Sequence, residues 1–254
     1  MRNFYRKHKT IYDWGKYYLN HSEIVKTKDI SKTETLKLPL RSDIINFLLS
    51  KFDINNALYL EIGVRNPNDN FNKIQASEKY SVDPGIEYKE NPVDFKVTSD
   101  DFFKGLGTGD FLNRNIKFDV IFIDGLHHAE QVERDINNSL KFLKEDGFLV
   151  LHDCNPPTEW HSRSNYNFEL SPAWYYWNGS TWKAFVEFRK RKDYYSCCID
   201  SDWGVGIVSK KINFGLENNI VNKYYEYDIF NENRKDCLNL MSYNEFKSFV
   251  EETK

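Results

Sequence analysis

The chain has 254 residues and nearly balanced charge, with 35 Lys and Arg against 38 Asp and Glu. This length allows a buried core without disulfides or metals, and the chain lacks the basic surplus typical of nucleic-acid-binding proteins. No apolar run approaches the roughly 20 residues that span a bilayer, and no signal peptide is recognisable. The four cysteines form no Cys-x-x-Cys motif, which favours a reducing compartment. Together these observations lead us to expect a soluble cytoplasmic protein without nucleic-acid or membrane partners.

The N-terminal residues 1–41 are polar and carry no recognisable motif, which predicts an N-terminal cap or a dimer arm. Whether the chain forms a homo-oligomer therefore stays open. Residues 11–19 could form a short helix, whereas 26–37 are expected to be an exposed loop. An apolar stripe behind Ser42 predicts the next helix, with Ser42 as its N-cap.

Short apolar runs rich in β-branched and aromatic residues predict buried strands in the middle of the chain. These runs cover residues 57–64, 79–83, 94–98, 120–123 and 148–153. Helical spacing of Val132, Ile136 and Leu140 predicts a helix between the last two strands. Strands that alternate with helices indicate a Rossmann-like, doubly wound parallel sheet, and residues 194–199 and 203–208 predict a terminal antiparallel pair.

Residues 154–180 have no regular period and are rich in aromatic side chains, which is typical of a lid or binding loop. The aromatic and histidine residues of this segment include Trp160, His161, Tyr166, Phe168, Trp174, Tyr175, Tyr176 and Trp177. His161 could contact a substrate. Residues 211–254 form a tail that ends in a helix, since Ser242 and Glu245 have capping-box spacing. We expect a single domain with its core in residues 42–210.

Acidic residues occur at or just beyond the ends of four predicted strands: Asp83, Asp100, Asp124 and Asp153. Parallel strands end at the same edge of their sheet, and ligands of open α/β sheets bind there. We therefore expect these carboxylates to lie in one ligand site. The alternative for Asp124 is that it only caps the helix that follows.

The first strand and the acid after the second also fit a nucleotide site. Gly63 would let a ligand approach the backbone, and Asp83 follows Glu61 at about the 20-residue spacing of a ribose-binding acid. Arg65 and Asn66 stand where further glycines would hold a pyrophosphate. This disfavours NAD and favours an adenosine ligand without a diphosphate. A nicotinamide-dependent oxidoreductase and a non-catalytic partner protein of the same fold remain the alternatives.

Four segments in this order resemble a known family: Tyr59-Leu-Glu-Ile-Gly-Val64, Ser81-Val-Asp83, Phe118-Asp-Val-Ile-Phe-Ile-Asp-Gly-Leu-His127 and Phe148-Leu-Val-Leu-His-Asp153. They are similar to the class I S-adenosylmethionine-dependent methyltransferases. The branch they most resemble is that of the small-molecule O-methyltransferases that act on sugars of macrolide and aminocoumarin antibiotics. The resemblance covers residues 57–153, with weaker similarity at 203–207.

The resemblance implies a cofactor site for S-adenosylmethionine. Glu61 and Gly63 would border its methionine part, Asp83 would bind the ribose, and Ser99 and Asp100 would lie near the adenine.

The resemblance also implies that Asp124 and Asp153 are metal ligands and that Asp124 acts with His127, the general base. Oxygen ligands suit Mg²⁺, but the family has a second acid where this chain has His152, which would favour Mn²⁺ or leave a buried structural histidine. His128 is expected to be only a neighbour. The expected activity is methylation of a small hydroxylated acceptor, such as a sugar, sugar nucleotide or glycan precursor, against an aromatic wall formed by residues 154–180.

Overall fold

The computed structural model describes residues 6–88, 90–166 and 171–252, and within them it contains one seven-stranded sheet. Phe168 lies outside the described residues. The strands are β1 (Leu58–Ile62), β2 (Glu78–Val82), β3 (Phe118–Ile123), β4 (Leu143–Leu151), β5 (Tyr195–Ile199), β6 (Val205–Ser209) and β7 (Leu240–Met241).

The spatial order of the strands is β2-β1-β3-β4-β6-β5-β7. The first four run parallel, whereas β6 is inserted antiparallel between β4 and β5. This topology confirms the predicted Rossmann-like class I methyltransferase fold with its antiparallel terminal pair. It also places the carboxyl ends of β1, β2, β3 and β4 at one edge of the sheet.

Helices cover both faces of the sheet. They are α1 (Lys9–Leu19), α2 (Ser22–Glu34), α3 (Arg41–Leu49), α4 (Ser99–Thr108), α5 (Ala129–Phe142), α6 (Thr181–Phe188), α7 (Tyr227–Glu232), α8 (Arg234–Leu238) and α9 (Tyr243–Glu252), with a 3₁₀ turn at Phe71–Lys73. Helices α4, α5 and α6 pack on one face, and α3 and α9 pack on the other. None of the described helices is long and apolar enough to cross a membrane.

Strand β3 shows why the central strands read as continuous apolar runs. All six of its residues are buried. Ile121 and Ile123 belong to the core under α5, while Val120 and Phe122 belong to the opposite core under α3. A strand covered on both faces favours apolar side chains on both of them, in contrast to the alternation of a half-exposed strand. The exception near the start of β3 is the buried Asp119, whose carboxylate pairs with Lys144 at 2.8 Å.

The predicted strand at 94–98 is wrong, because only Phe95 pairs with β2, through an isolated bridge to Val82. The Asp94 carboxylate accepts the Ser81 backbone N–H at 2.9 Å and the Ser81 hydroxyl at 2.7 Å. A side-chain acceptor therefore replaces the backbone partner that would have extended the strand pairing.

Two predictions near the N-terminus are also wrong. Residues 26–37 are largely helical, since α2 continues to Glu34 and buries a polar face that includes Thr27 and Ser31. An apolar pattern could not reveal this face. Helix α3 begins at Arg41 rather than after Ser42, and the Asp43 carboxylate accepts the Leu40 backbone N–H at 3.1 Å.

The predicted capping box of the tail is confirmed. The Glu245 carboxylate accepts the Ser242 backbone N–H at 2.7 Å, and the Ser242 hydroxyl accepts the Glu245 N–H at 3.3 Å. The tail also supplies β7, which pairs parallel with β5 and so extends the sheet.

Candidate functional site

A cavity of about 590 Å³ lies at the carboxyl edge of the parallel strands. It is lined by eight of the predicted site residues: Glu61, Gly63, Asp83, Ser99, Asp124, His127, His152 and Asp153. Asp100 is not part of this lining and instead lies 3.3 Å from Arg134 in an exposed ion pair. The strand ends therefore bring the predicted residues together as the topology rule requires.

Gly63 brings the loop after β1 against the loop after β3. Its φ of 92° lies in the left-handed region that glycine adopts without strain. A Cβ at this position would overlap the backbone carbonyl of Asp124. The glycine therefore allows the loop after β1 to lie directly against the backbone at Asp124.

Glu61 is a buried acid at the end of β1, only 2% exposed. Its carboxylate accepts the Tyr59 hydroxyl at 2.6 Å and an amide N–H of Asn70 at 2.9 Å. Burial raises the pKa of Glu61 to about 7, and the two hydrogen bonds only partly offset this effect. Because Glu61 also lines the cavity, its carboxyl group can accept hydrogen bonds from a ligand bound there.

Asp135 is a functional candidate that the sequence reading missed. It lies on α5, lines the cavity and is 1% exposed. Burial raises its pKa to about 6, and Gln131 donates one amide N–H to Asp135 and one to Ser99, both at 3.0 Å. Its position beside Ile136 on the apolar stripe of α5 is the sequence signal that could have identified it.

Two carboxylates and two imidazoles form a cluster in the lining of the same cavity. Asp124 Oδ1 lies 3.2 Å from both His127 Nε2 and His152 Nδ1. Asp153 Oδ2 lies 3.4 Å from His127 Nδ1 and 3.3 Å from His152 Nδ1. Each imidazole thus contacts both acids, although the four residues come from two different strand ends.

The charges in this cluster stabilise one another. Burial alone would raise the pKa of Asp124, but the charge of His152 and hydrogen bonds from both histidines hold it well below its ordinary value. Burial alone would lower the pKa of His127 and of His152, but Asp153 and Asp124 raise both above 6.5. The cluster therefore favours the ionised form of Asp124 and makes each imidazole a stronger base.

Helix α5 does not use Asp124 as its cap. The backbone N–H of Ala129, the first residue of the helix, donates to Ser180 Oγ at 2.8 Å. The carboxylate of Asp124 faces the two histidines instead. The capping alternative therefore fails, and the side chain is available for chemistry.

The aromatic segment holds His127 in place. Its ring stacks on Trp177 with centroids 5.1 Å apart, and Nδ1 lies 3.1 Å from the Trp177 carbonyl oxygen, which can only accept. The ring of His128 packs against the same indole at an interplanar angle of 70°, with the ring centroids 5.8 Å apart. Asn178 donates to Asp153 Oδ1 at 2.7 Å, so the residues after the aromatic run orient both the imidazole and the second acid.

His161 has a structural position, away from the cavity. It is fully buried, with Nε2 2.9 Å from Ser31 Oγ and Nδ1 2.8 Å from Thr158 Oγ1. Burial lowers its pKa to about 3. The two hydrogen bonds of His161 join α2 to the aromatic segment. The aromatic residues of this segment that line the cavity are Tyr166, Tyr175 and Trp177.

Arg41 and Asp202 complete the cluster, and neither was predicted. Arg41 Nη1 lies 3.3 Å from His152 Nε2 and 3.2 Å from Asp202 Oδ2, while its Nε lies 3.8 Å from Asp124 Oδ2. His152 Nε2 also lies 3.4 Å from Asp202 Oδ1. Arg41 belongs to the segment expected to be an N-terminal extension, and Asp202 lies in the turn between β5 and β6.

The donor atoms of Asp124, His152 and Asp153 fit a divalent metal ion. They all lie within 4.8 Å of one another. Two atoms bound side by side to an ion at about 2.1 Å are themselves about 3 Å apart. The spacings of 3.2 Å and 3.3 Å from His152 Nδ1 to the two acids are close to this value. One nitrogen and two oxygens would suit Mn²⁺ as well as Mg²⁺.

Residues 60–154 match the model of a protein family described as a methyltransferase domain. The match begins within β1 and extends just beyond the end of β4. Over these residues it confirms the prediction of a methyltransferase domain. No curated protein matches the chain.

Solved structures with a similar course of the chain include an O-methyltransferase from Bacillus cereus in complex with SAH. It shares 12% identity over 75% of this chain and 92% of that chain, with a TM-score of 0.46. The O-methyltransferase TomG from Streptomyces achromogenes, in complex with SAM, shares 12% identity over 75% and 90%, with a TM-score of 0.43. SAH-bound PaMTH1 from Podospora anserina shares 14% over 79% and 95%, with a TM-score of 0.42.

Proposed function

We propose that the chain is an S-adenosylmethionine-dependent O-methyltransferase that acts on a small hydroxylated acceptor of the sugar type. The observation that carries the proposal is one cavity lined by two chemically distinct groups of residues. Glu61 and Asp83 suit a nucleoside with an amino acid group, whereas Asp124 and His127 suit deprotonation. A methyl donor and a hydroxyl acceptor would meet between them.

In the cofactor half, each predicted residue has a chemical task. Asp83 would accept hydrogen bonds from ribose hydroxyls, and Glu61 would accept them from the methionine part. Ser99, Gln131 and Asp135 line the adjoining wall, where a purine could bind. The amino group of S-adenosylmethionine near Glu61 would favour the ionised carboxylate, because an opposite charge lowers the pKa of a buried acid.

In the acceptor half, His127 is the proposed general base. Because its Nδ1–H donates to the Trp177 carbonyl, Nε2 is the nitrogen that is unprotonated in the neutral base and that takes the proton of the acceptor. The acceptor oxygen attacks the methyl carbon, the carbon–sulfur bond breaks, and the hydroxyl proton passes to Nε2. The imidazolium is then stabilised by Asp124 at 3.2 Å and Asp153 at 3.4 Å. Held in line, the two substrates need little further rearrangement.

Asp124, His152 and Asp153 would hold a divalent metal ion in the same half. Such an ion, when bound, would lower the pKa of an acceptor hydroxyl and help to orient it. The residues of the chain do the rest, since His127 moves the proton and Trp177 keeps its ring in place.

The proposed acceptor class rests on the wall of the cavity. Tyr166, Tyr175 and Trp177 present aromatic surface next to the acid and imidazole groups. Aromatic rings cover the apolar faces of sugars, while acids and imidazoles bind their hydroxyls. A sugar, a sugar nucleotide or a glycan precursor combines both features.

Two measurements test this function. Calorimetric titration should show binding of S-adenosylhomocysteine and none of NAD, whereas preferential NAD binding would support an oxidoreductase and contradict the proposal. Methyl transfer should then be screened over a panel of sugars and sugar nucleotides, with and without chelator. Asp124→Ala and His127→Ala should abolish transfer while cofactor binding survives, and full activity in both variants would refute the assignment.

A further inference from the structure

Arg41 places a guanidinium group against the residues that would bind a metal ion. Its Nη1 lies 3.3 Å from His152 Nε2, and its Nε lies 3.8 Å from Asp124 Oδ2. Two of the three metal-ligand residues therefore already contact a permanent positive charge. Arg41 also lines the cavity, so this charge faces the space where the acceptor would bind.

Asp202 fixes this position of the arginine. Its carboxylate accepts the Arg41 backbone N–H at 2.7 Å and the Nη1–H at 3.2 Å. Asp202 is only 6% exposed and has a φ of 43°, so both its side chain and its backbone are held by their surroundings. The guanidinium is thus anchored at the start of α3, in contrast to a mobile surface side chain.

His152 lies between Arg41 and the two acids that would share the ion. Its Nε2 lies 3.3 Å from Arg41 Nη1 and 3.4 Å from Asp202 Oδ1, and its Nδ1 faces Asp124 and Asp153. A divalent ion bound at Nδ1 would therefore lie close to the guanidinium group. Because like charges repel, Arg41 opposes metal binding by its charge.

We propose that Arg41 is a built-in cation that competes with a divalent metal ion for Asp124 and His152, so that the free protein holds the ion weakly. The inference rests on the metal site of the proposed function. It assigns Arg41 a role as a positioning residue: it neutralises and orients the acidic cluster whenever the ion is absent.

The test measures Mn²⁺ binding from the electron paramagnetic resonance signal of the free ion. Arg41→Met removes the charge and should tighten Mn²⁺ binding by roughly tenfold or more, which is about 1.4 kcal/mol. Arg41→Lys keeps the charge and should stay within about threefold of the wild type. Equal or weaker Mn²⁺ binding by Arg41→Met, or no binding by any variant, would overturn the inference.

Arg65→Met is the matched control, because Arg65 lines the same cavity but pairs with Asp69 at 3.1 Å. It removes the same charge away from the ligand atoms, and its effect on Mn²⁺ affinity should be clearly smaller. If Arg41→Met does not fold, Arg41→Gln replaces it, since the amide can still bond to Asp202. If Arg41 had only a structural role, both variants would bind Mn²⁺ more weakly than the wild type, which is the opposite of the expected change.

Titration of the same proteins with S-adenosylhomocysteine separates this inference from the proposed function. Cofactor binding with no gain in Mn²⁺ affinity would overturn only the role of Arg41. Loss of cofactor binding in the wild type would overturn the proposed function, and the Mn²⁺ comparison would still decide the role of Arg41.

Discussion

Replacement of Glu61 by Gln should stabilise the free protein and at the same time damage its cofactor site. The carboxyl group is 2% exposed, and burial raises its pKa from 4.5 to about 7. The native state therefore holds this proton more tightly than the unfolded chain does. Stability from this group is fully present below pH 4.5 and is lost as the pH rises through about 7. Since one pKa unit is worth 1.36 kcal/mol, the loss amounts to about 3 kcal/mol.

Glu61→Gln keeps the size of the side chain and an oxygen that can accept from Tyr59 and Asn70. It cannot ionise, so the pH-dependent loss should disappear. Urea unfolding followed by tryptophan fluorescence should show a variant more stable than the wild type by up to about 3 kcal/mol at pH 8, and about equal to it at pH 4.5. Comparison of the two proteins cancels the contributions of other groups, such as His127 and His152.

Glu87→Gln is the control for this experiment. Glu87 lines the same cavity but is exposed, and replacement of an exposed side chain should change the free energy of unfolding by no more than about 0.5 kcal/mol at either pH. Titration with S-adenosylhomocysteine should show weaker binding by Glu61→Gln. Parallel pH–stability curves for Glu61→Gln and the wild type would refute the reasoning, because they would mean that Glu61 ionises in the native state as easily as in the unfolded chain.

Three other predictions follow from single contacts. Gly63→Ala should lower the free energy of unfolding by roughly 1–3 kcal/mol or more, because the methyl group would overlap the Asp124 carbonyl at a positive φ; an unchanged urea midpoint would contradict this. Ser31→Ala should cost about 1–3 kcal/mol in the same assay, because it leaves the buried His161 Nε2 without its partner at 2.9 Å. For methyl transfer, kcat/KM should rise with pH through an apparent pKa that is higher than 6.5 and then stay constant, because Asp153 and Asp124 raise the pKa of the base His127. A flat profile would exclude this base.

The strand ends could be predicted because a simple rule connects sequence to space. Asp83, Asp124 and Asp153 each follow a recognisable apolar run, and parallel strands end at one edge. The rule requires only the order and direction of strands, which local patterns supply. The one strand that failed, at 94–98, did so through a side-chain hydrogen bond that no periodicity reveals.

Arg41 and Asp202 could not be found in this way. Their contact joins the start of α3 to the turn between β5 and β6, across 161 positions of sequence. Neither residue belongs to an apolar period or to a motif, and each would be an ordinary surface residue if its partner were absent. Long-range pairs of polar residues depend on the finished packing, so the cation of the cluster was missed although its acids were predicted.

The position of Asp124 decides how its variants must be interpreted. Its carboxylate faces His127, His152 and Arg41, while its backbone carbonyl packs against Gly63. Asp124→Ala removes a counter-charge that these three groups share, so repulsion among them would lower activity in addition to any loss of chemistry. Asp124→Asn keeps the volume and one acceptor oxygen. If Asp124 acts through its charge, both variants should lose transfer while Asp124→Asn keeps near-normal stability, whereas activity retained by Asp124→Asn would show that a hydrogen-bond acceptor suffices at this position.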